Sequence, residues 1–286
     1  MEIKVKGYAK INLTFDITGK RPDGYHEVKT VMQTVGLYDT VTLCTNESGE
    51  ITVGCDHPEV PCDERNIAVK CAKIFFDKTG IQYHGLHIEI EKRIPTQAGL
   101  AGGSTDGAAV LKGLNELYGN PLRDEELLSL GAKTGADVPF CIMGGTALGV
   151  GTGTILTRLN PIPHTYFVLV KPPFGVSTKE AFEAVDNAAP REYYATDRML
   201  ECLDDVKLIG KNLRNDFEET LHNEPLLKLK SKLLKCDGAL GAVMTGSGST
   251  VYAVFDDKKK AKACKEKFLS EYNDVFLAEN VIGEQR

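Results

Sequence analysis

Hydrophobic and polar residues alternate along the first fifty positions, a pattern typical of β-strands with one buried face. The alternation covers 2–53 and is clearest in EIKVKGYAKINLTFDI, DTVTLCT and EITV. At 66–78 the apolar residues have the spacing of a helix, and at 85–94 the strand-like alternation returns. The apolar face of this helix consists of Ile67, Cys71, Ile74 and Phe75. We therefore predict a β-rich start interrupted by one helix.

A glycine-rich stretch at 99–103 precedes a helix that the spacing predicts over 104–118. Its apolar stripe consists of Val110, Leu111, Leu114 and Leu117. The residues YGNP stop this helix, and a shorter helix is predicted over 124–134. Two strands punctuated by glycine are predicted around 145–158, and they close the first half of the chain.

The second half begins with a buried strand at 166–172. A helix is predicted to start at Ser177 and Thr178, with Glu180 behind them in the spacing of a capping arrangement. Helical segments continue to about residue 235. No internal repeat or low-complexity linker interrupts this part of the chain.

The last fifty residues complete a recognisable order of elements. GALGAVMTGSGSTVYAVF predicts strand, glycine turn and strand, DDKKKAKACKEKFLSEY predicts an amphipathic helix, and a last strand lies near Val275. With the preceding elements the order is β, helices, β, β, α, β, which is typical of a split βαβ, ferredoxin-like unit. We place a domain boundary at 160–163, in the residues NPIP, and predict domains of 1–160 and 161–286.

Composition predicts a globular protein without a broad nucleic-acid or lipid surface. Of the 286 residues, 42% are hydrophobic and 26% are charged, which suffices to bury a core. Lys and Arg number 34 against 40 Asp and Glu, giving a net charge of −6, whereas anionic partners favour a basic stripe. No apolar run approaches the roughly 20 residues that span a bilayer. The alternating start does not resemble a signal peptide, so we expect a soluble, intracellular protein.

The eight cysteines and six histidines show no spacing typical of a metal site or a disulfide framework. No C-x-x-C occurs, and His84 and His87 fall on opposite faces of a predicted strand. We expect reduced, partly buried thiols and a cytoplasmic location.

The stretch RIPTQAGLAGGSTDGAAVLKGLNELYG predicts a site for a phosphate group. Gly99, Gly102 and Gly103 allow backbone amides to approach an anion, and a helix opens directly after them. The hydroxyls of Ser104 and Thr105 are available to a phosphate oxygen or to its magnesium ion. A plain tight turn with Ser, Thr or Asp as the helix cap is the alternative. No G-x-x-x-x-G-K-[ST] loop is present.

Two charged residues are candidates for catalysis. Lys10 lies within the apolar alternation YAKINLTF, and a solvated lysine on a strand is the alternative interpretation. Asp137 lies in the loop-like TGADVPF, where an Asx-turn would also explain it. A carboxylate can take the proton of a hydroxyl, and a lysine can steady a phosphate.

Aromatic and amide side chains are candidates for substrate recognition. Tyr25 and His26 are adjacent in a loop and together could hold a pyrimidine, although packing on the strand explains them equally well. Phe182 has the spacing of a core residue. Asn12 lies on the same strand face as Lys10 and is placed to bond a diol.

The segment IPTQAGLAGGSTDGAA resembles the P-x-x-x-G-L-G-G-S-S-x-A ATP loop of the superfamily of galactokinase, homoserine, mevalonate and phosphomevalonate kinases. Ala101, Thr105 and Gly107 replace the usual glycine, serine and alanine. Because Thr105 keeps the hydroxyl, only the loop shape at Ala101 is in question. Three further stretches, 7–39, 135–151 and 244–255, resemble superfamily members that phosphorylate a cytidyl-carrying alcohol.

This resemblance implies ATP, with Mg²⁺, as the phosphoryl donor. The predicted ATP-binding residues are Pro95, Thr96, Gln97, Ala98, Gly99, Leu100, Ala101, Gly102, Gly103, Ser104, Thr105, Asp106 and Asn66. It also implies that Lys10 and Asp137 form the catalytic pair. Thr105 is the one side chain that we name as a possible magnesium ligand.

The resemblance further implies how the substrate is held. Phe182 and Tyr25 would stack on opposite faces of cytosine, with His26 beside them. Gly246 and Ser247, in a second glycine turn, are expected to pack against the first turn and to touch the phosphates of the substrate. The lysines at 258–260 are expected on a solvated helix face.

The implied fold is α+β in two domains, with a cleft between them where ATP and the alcohol meet. The N-terminal domain would resemble ribosomal protein S5 domain 2, and the C-terminal domain would be ferredoxin-like. Another kinase of the superfamily, acting on homoserine or mevalonate, is one rival, but those lack the Tyr25-His26 pattern. The second rival is a non-catalytic ligand sensor or RNA binder on the same fold. Such a protein would be expected to lack Lys10 or Asp137, or to have a basic surface.

Overall fold

The computed structural model describes residues 1–188 and 195–283. The strands are β1 (Glu2–Lys20), β2 (His26–Thr45), β3 (Ile51–Cys55), β4 (Leu86–Glu91), β5 (Thr146–Gly151), β6 (Ile155–Arg158), β7 (Tyr166–Lys171), β8 (Arg214–Asn215), β9 (Gly241–Met244), β10 (Val251–Phe255) and β11 (Asp274–Glu279). The helices are α1 (Ile67–Thr79), α2 (Gly102–Leu117), α3 (Asp124–Thr134), α4 (Val138–Met143), α5 (Thr178–Asp186), α6 (Ala195–Leu200), α7 (Val206–Lys211), α8 (Asp216–Leu221), α9 (Glu224–Leu234) and α10 (Lys258–Phe268).

The chain divides into two compact units that are discontinuous in sequence. The first unit consists of Met1–Ala9, Leu37–Thr96 and Ala101–Gly144. The second unit consists of Lys10–Gly36, Gln97–Leu100 and Gly145–Arg286. Strands β1 and β2 each contribute residues to both units. The sequence-based boundary near residue 160 stays a prediction.

In the first unit, helices cover a small sheet. The end of β2 pairs antiparallel with β4, from Thr40 opposite Glu91 to Thr45 opposite Leu86, and β3 pairs parallel with β4. Helices α1 to α4 bury an apolar core against these strands, because the spaced apolar residues predicted for α1 and α2 lie on their inner faces. Members of this core include Phe75, Phe76, Ile88, Leu111 and Leu114.

In the second unit, a four-stranded antiparallel sheet has the order β11-β7-β10-β9. Numbered by chain position within this sheet, the order is 4-1-3-2, which is that of a split βαβ, ferredoxin-like unit. Phe167 to Val170 are fully buried, so both faces of β7 are covered, as its unbroken apolar run predicts. Leu229, Leu233 and Phe268 pack helices α9 and α10 into the core of this unit.

Helix α4 occupies residues that the sequence pattern indicated as a loop. Only six residues long, it lies between Gly135 and Gly144 and is too short to show a helical period. Pro139 is in its first turn, where the missing N–H costs no hydrogen bond. Helix α2 likewise starts at Gly102, two residues before its predicted start, since glycine gives no helical signal.

Other expectations from composition concern membranes, metals and disulfides. Within 1–188 and 195–283, no helix is long and apolar enough to cross a membrane. The same residues contain no group of three or more His, Cys, Asp or Glu side chains arranged to hold a metal ion. All eight cysteines lie in the described chain, and none of them forms a disulfide bond.

Candidate functional site

The start of α2 has no side-chain cap. Its N-cap residue is Ala101, which has no oxygen to offer, so the alternative of a turn capped by Ser, Thr or Asp is excluded. The first helical hydrogen bond runs from Thr105 N–H to Ala101 O at 2.9 Å. The N–H groups of Gly102, Gly103 and Ser104 therefore have no hydrogen-bond acceptor within the helix. Such donors, at the positive end of the helix dipole, are suited to bind a phosphate group, and the phosphate site stays a prediction.

Left-handed backbone conformations shape the loop before α2. Ala101 has φ 59° and ψ 31°, a left-handed conformation that is more usual for glycine. Gly99 has φ 73°, and a Cβ there would lie 2.2 Å from the carbonyl oxygen of Thr245. Only glycine permits this approach, which joins the predicted ATP loop to the second glycine turn within the second unit.

Backbone hydrogen bonds anchor the middle of the loop in the second unit. The carbonyl of Ala98 accepts from Thr250 N–H at 3.2 Å, and that of Leu100 accepts from Lys10 N–H at 3.2 Å. A Cβ on Gly246 would lie 3.1 Å from the carbonyl oxygen of Gly99, as expected from packing of one glycine turn on the other.

The two glycines that open α2 face different surroundings. A Cβ on Gly102 would lie 3.1 Å from Lys92 Nζ and 3.2 Å from a methyl of Ile94, so this position faces the protein interior. Gly103 is exposed, and its nearest neighbour would be Ile67 at 3.7 Å. A side chain at residue 103 would thus find room at the exposed start of the helix.

Thr105 and Asp106 are buried within the first unit. The Thr105 hydroxyl donates to the carbonyl of Tyr8 at 2.7 Å, and Asp106 Oδ2 accepts from Lys92 Nζ at 2.9 Å. Lys92 also donates to Asp39 Oδ2 at 2.5 Å. These bonds fix the first turn of α2, and side-chain contacts of Thr105 and Asp106 with ATP stay predictions.

Burial controls the ionisation of this cluster. It raises the pKa of the Asp106 carboxyl to about 7, because the low-dielectric surroundings disfavour its charge more than Lys92 favours it. Burial by itself lowers the pKa of Lys92, but attraction to Asp106 and Asp39 outweighs that effect and leaves the pKa raised. The lysine therefore remains charged at neutral pH.

The outer residues of the predicted ATP site have varied environments. Asn66 is the N-cap of α1, where its Oδ1 accepts from Ala68 N–H at 2.9 Å. Thr96 donates to Glu59 at 2.5 Å, Gln97 is exposed, and Pro95 is half-buried. Their contacts with ATP stay predictions.

Asp137 lies close to the start of α2 in the first unit. A Cβ on Gly135, two residues before it, would be 3.7 Å from Ser104 Oγ. Asp137 is half-buried at the N-cap of α4, and its side chain makes no capping hydrogen bond. The first unit therefore brings Asp137 into the neighbourhood of the predicted phosphate site, and its catalytic role stays a prediction.

Lys10 is only 4% exposed, which excludes the interpretation as a solvated strand lysine. Its Nζ donates to Asn12 Oδ1 at 2.9 Å. Asn12 Oδ1 also accepts from Gly246 N–H at 3.1 Å, and Asn12 Nδ2 donates to Thr30 Oγ1 at 2.8 Å. Within the second unit, Asn12 thus fixes the lysine relative to the second glycine turn. Its bond to a substrate diol stays a prediction.

The residues predicted to hold a pyrimidine are partly assembled. Tyr25 is 66% exposed. His26 is buried, its Nε2 lies 2.7 Å from Asp186 Oδ1, and its ring stacks on Phe182 with centroids 4.3 Å apart. Phe182 also meets the edge of Phe217 at 4.8 Å. One face of Phe182 is therefore covered by His26, and the ring takes part in core packing as well.

Asn215, a residue that the sequence pattern did not indicate, fixes the second glycine turn by hydrogen bonds. Asn215 Nδ2 donates to the carbonyls of Met244 and Gly246 at 2.7 and 2.8 Å. Ser247 Oγ lies 2.9 Å from Thr178 Oγ1, and both hydroxyls are accessible. Asn215 lies in the stretch without a motif, and its only signal is its place before α8.

The sequence pattern also gave no indication of Lys92, Asp39 or Asp186. Lys92 follows directly after β4, where a charged residue usually marks the solvated end of a strand. Only the packing of α2 shows that its ammonium is buried. No local pattern would have found these three residues.

Comparison with known proteins defines the class of this protein. A model of the GHMP kinase N-terminal domain matches residues 66–145, and a model of the GHMP kinase C-terminal domain matches 199–274. The uncapped glycine-rich helix start lies inside the first match. Fold and loop together thus define a kinase of the GHMP type, and the predicted α+β class is confirmed.

Individual relatives narrow this class. The chain is 45% identical to 4-diphosphocytidyl-2-C-methyl-D-erythritol kinase of Clostridium beijerinckii, over 98% of this chain and 100% of that protein. A crystal structure of 4-(cytidine 5'-diphospho)-2C-methyl-D-erythritol kinase matches with a TM-score of 0.81 and 27% identity, covering 99% of this chain and 100% of the other. Homoserine kinase from Cytophaga hutchinsonii shares the fold, with a TM-score of 0.76, 21% identity, and 99% and 96% coverage. The chain belongs to the 4-diphosphocytidyl-2-C-methyl-D-erythritol kinase family of the GHMP kinases.

Replacement of Gly103 tests the phosphate site. We expect Gly103→Val to fold but to raise the KM for ATP at least about tenfold, because Cβ atoms tilt toward the helix N-terminus and the branched side chain would obstruct the amides. Gly103→Ala is the matched control and should cost less affinity, with a melting temperature equal to or above the parent's. Equal ATP affinity in the valine variant and the parent would place the phosphates elsewhere.

Proposed function

We propose that this protein transfers the γ-phosphoryl group of ATP to the 2-hydroxyl of 4-diphosphocytidyl-2-C-methyl-D-erythritol, giving the 2-phosphate and ADP. The observation that carries the proposal is 45% identity over essentially the whole length of a relative with that name. The reaction belongs to the non-mevalonate route to isopentenyl diphosphate. The free amides at the start of α2 support ATP as the donor.

Phosphoryl transfer needs a phosphate cradle, positive charge and a group that takes the hydroxyl proton. We assign the cradle to the amides of Gly102, Gly103 and Ser104. Lys10 supplies the charge, and its buried ammonium is already oriented by Asn12. We assign the proton of the 2-hydroxyl to Asp137, which lies two residues after Gly135, beside Ser104 at the start of α2.

The residues fit Mg²⁺ as an ion that enters with the nucleotide. In phosphoryl-transfer sites Mg²⁺ typically keeps water ligands and is held by one or two side chains plus the substrate phosphates. Ser104 is half-buried with its Oγ beside Gly135, and we assign this hydroxyl as a side chain that would contact such an ion. The Thr105 hydroxyl, the ligand proposed from the sequence, donates its proton to the carbonyl of Tyr8. Its oxygen lone pairs are the part of this group that could bind a metal. When bound, Mg²⁺ would neutralise phosphate charge.

We further propose that Tyr25, His26 and Phe182 recognise the cytosine. The exposed Tyr25 ring is free to cover one face of a base. For Phe182 to cover the other face, His26 would move off its ring, and Asp186 would release or follow it. Asp186 is ionised at neutral pH, because hydrogen bonds from His26 and Lys20 lower its carboxyl pKa.

We place the reaction in the cytoplasm. None of the eight cysteines forms a disulfide bond, as is typical of a reducing compartment. The acidic net charge of −6 supports a small-molecule substrate over nucleic acid or an anionic membrane.

ATP consumption with a panel of alcohols tests the substrate. The panel contains the cytidyl diphosphate substrate, methylerythritol phosphate without the cytidyl group, homoserine and mevalonate. We expect turnover only with the cytidyl compound. Equal or faster turnover of homoserine or mevalonate would contradict the proposal, and so would binding of ATP without turnover of any of the four.

Substitution of Asp137 tests the proposed base. We expect Asp137→Asn to lower kcat by about 10²–10⁴, since an amide cannot take the hydroxyl proton. Asp77→Asn is the control, because Asp77 is exposed on α1 of the same unit. Melting curves should coincide for all three proteins. A kcat near the parental value would remove Asp137 from the mechanism.

Two aromatic substitutions test recognition of the base. Tyr25→Ala should raise the KM for the cytidyl substrate about 5- to 150-fold, the equivalent of roughly 1–3 kcal/mol of stacking, and leave the melting temperature unchanged. Phe182→Ala should raise the same KM and also lower the melting temperature, because its ring packs on Phe217. The KM for ATP should stay within about twofold in both, as in the exposed-residue control Ile155→Ala.

A destabilised Phe182 variant with parental affinity for the cytidyl substrate would assign that ring to the core alone. Parental affinity in Tyr25→Ala would likewise remove Tyr25 from the site.

A further inference from the structure

A buried ion cluster lies against both ends of the ATP loop in the first unit. It consists of Asp39, Lys92 and Asp106, whose side chains are 0%, 3% and 2% exposed. Lys92 Nζ donates to Asp39 Oδ2 at 2.5 Å and to Asp106 Oδ2 at 2.9 Å. One ammonium thus joins two carboxylates that are far apart in the sequence.

Asp39 holds the chain that enters the loop. Its Oδ1 accepts from the backbone N–H of Arg93 at 2.6 Å and of Ile94 at 2.8 Å. These residues directly precede Pro95, the first residue of the predicted ATP loop. A carboxylate that accepts two consecutive amides fixes their orientation as well as their position.

Asp106 holds the chain that leaves the loop. It lies in the second turn of α2, close behind the three free amides. Lys92 also approaches the helix start itself, since its Nζ lies 3.1 Å from where a Cβ on Gly102 would be. Glycine at that position leaves room for the ammonium under the first turn.

Stability alone does not account for such a cluster. Buried ions lose their hydration, and well-packed apolar residues of similar volume often stabilise a fold as well or better. Asp106 Oδ1 is buried without any hydrogen-bond partner, which a purely stabilising arrangement would have satisfied. The cluster does connect the two ends of the loop through a single ammonium group.

We propose that Asp39, Lys92 and Asp106 form a positioning clamp that holds both ends of the ATP loop, so that the amides at the start of α2 keep the spacing that the phosphates require. The proposal rests on the function proposed above. Because the three side chains are buried, the clamp acts through the loop and does not touch the alcohol. Weakening it should therefore reduce ATP affinity selectively.

The first experiment compares Asp106→Leu with Asp106→Asn, which are similar in size. Leucine removes the acceptor for Lys92, whereas asparagine keeps one. We expect the KM for ATP to rise about tenfold in the leucine variant and only about twofold in the asparagine variant. The KM for the cytidyl substrate should stay within twofold in both. An equal rise in the two variants would overturn the clamp in favour of a role for the negative charge itself.

A cycle of substitutions tests whether the two carboxylates act through the same link. Asp39→Asn presents an amide to Lys92 and loosens the other end of the loop. We expect it to raise the KM for ATP, and we expect Asp39→Asn/Asp106→Leu to be no worse than the worse single variant. Multiplicative effects on the KM would mean independent sites and would contradict the proposal.

Loss of stability needs its own control. Leu114→Ala creates a cavity in the buried middle of α2, away from the loop, and should lower the melting temperature without changing the KM for ATP. If the clamp variants behave like Leu114→Ala, with lower melting temperatures and parental KM values, the cluster is structural only.

A non-hydrolysable ATP analogue separates this proposal from the proposed function. The analogue should raise the melting temperature of the parent, and the rise should shrink in Asp106→Leu at the same concentration. Protection equal to the parent's in that variant overturns the clamp. Absence of protection in the parent would instead contradict ATP as the co-substrate.

Discussion

Unpaired backbone N–H groups at the start of α2 are the constraint on which the site depends. A helix usually satisfies such donors with a Ser, Thr, Asp or Asn cap, and here Ala101 occupies that position. The arrangement leaves hydrogen-bonding capacity for a ligand, and it requires that the loop be held by other means. Left-handed residues shape the loop, and buried polar contacts on either side of it fix its ends.

Each unit also contains a buried lysine, and in each case the ammonium group has polar partners. In the second unit, Lys10 is desolvated, and Asn12 gives its ammonium a defined direction. In the first unit, Lys92 is shared between two carboxylates under the glycine loop. Moving either ammonium away from its partners would leave buried polar groups unpaired, which is costly. A kinase needs this fixed arrangement, since phosphoryl transfer depends on positioning and electrostatics.

Much of the fold was predictable because it follows from local periodicity. The apolar stripes of α1 and α2, the unbroken run of β7 and the order of the last elements lead directly to the observed helices and to the ferredoxin-like sheet. The exception is α4, whose six residues between glycines are fewer than two helical turns. Periodicity also says nothing of the way the two units interleave along the chain.

For the site, the sequence by itself determined the glycine loop, the helix that follows it and the two charged candidates Lys10 and Asp137. These are local in character, because glycine, a helix start and a charge in an apolar run are visible within a few residues. The tertiary structure decided that Lys10 is buried and that Asn12 orients it. It alone brought Asp39 and Lys92 under the loop, since hydrogen bonds between residues 53 positions apart exist only after the chain has folded.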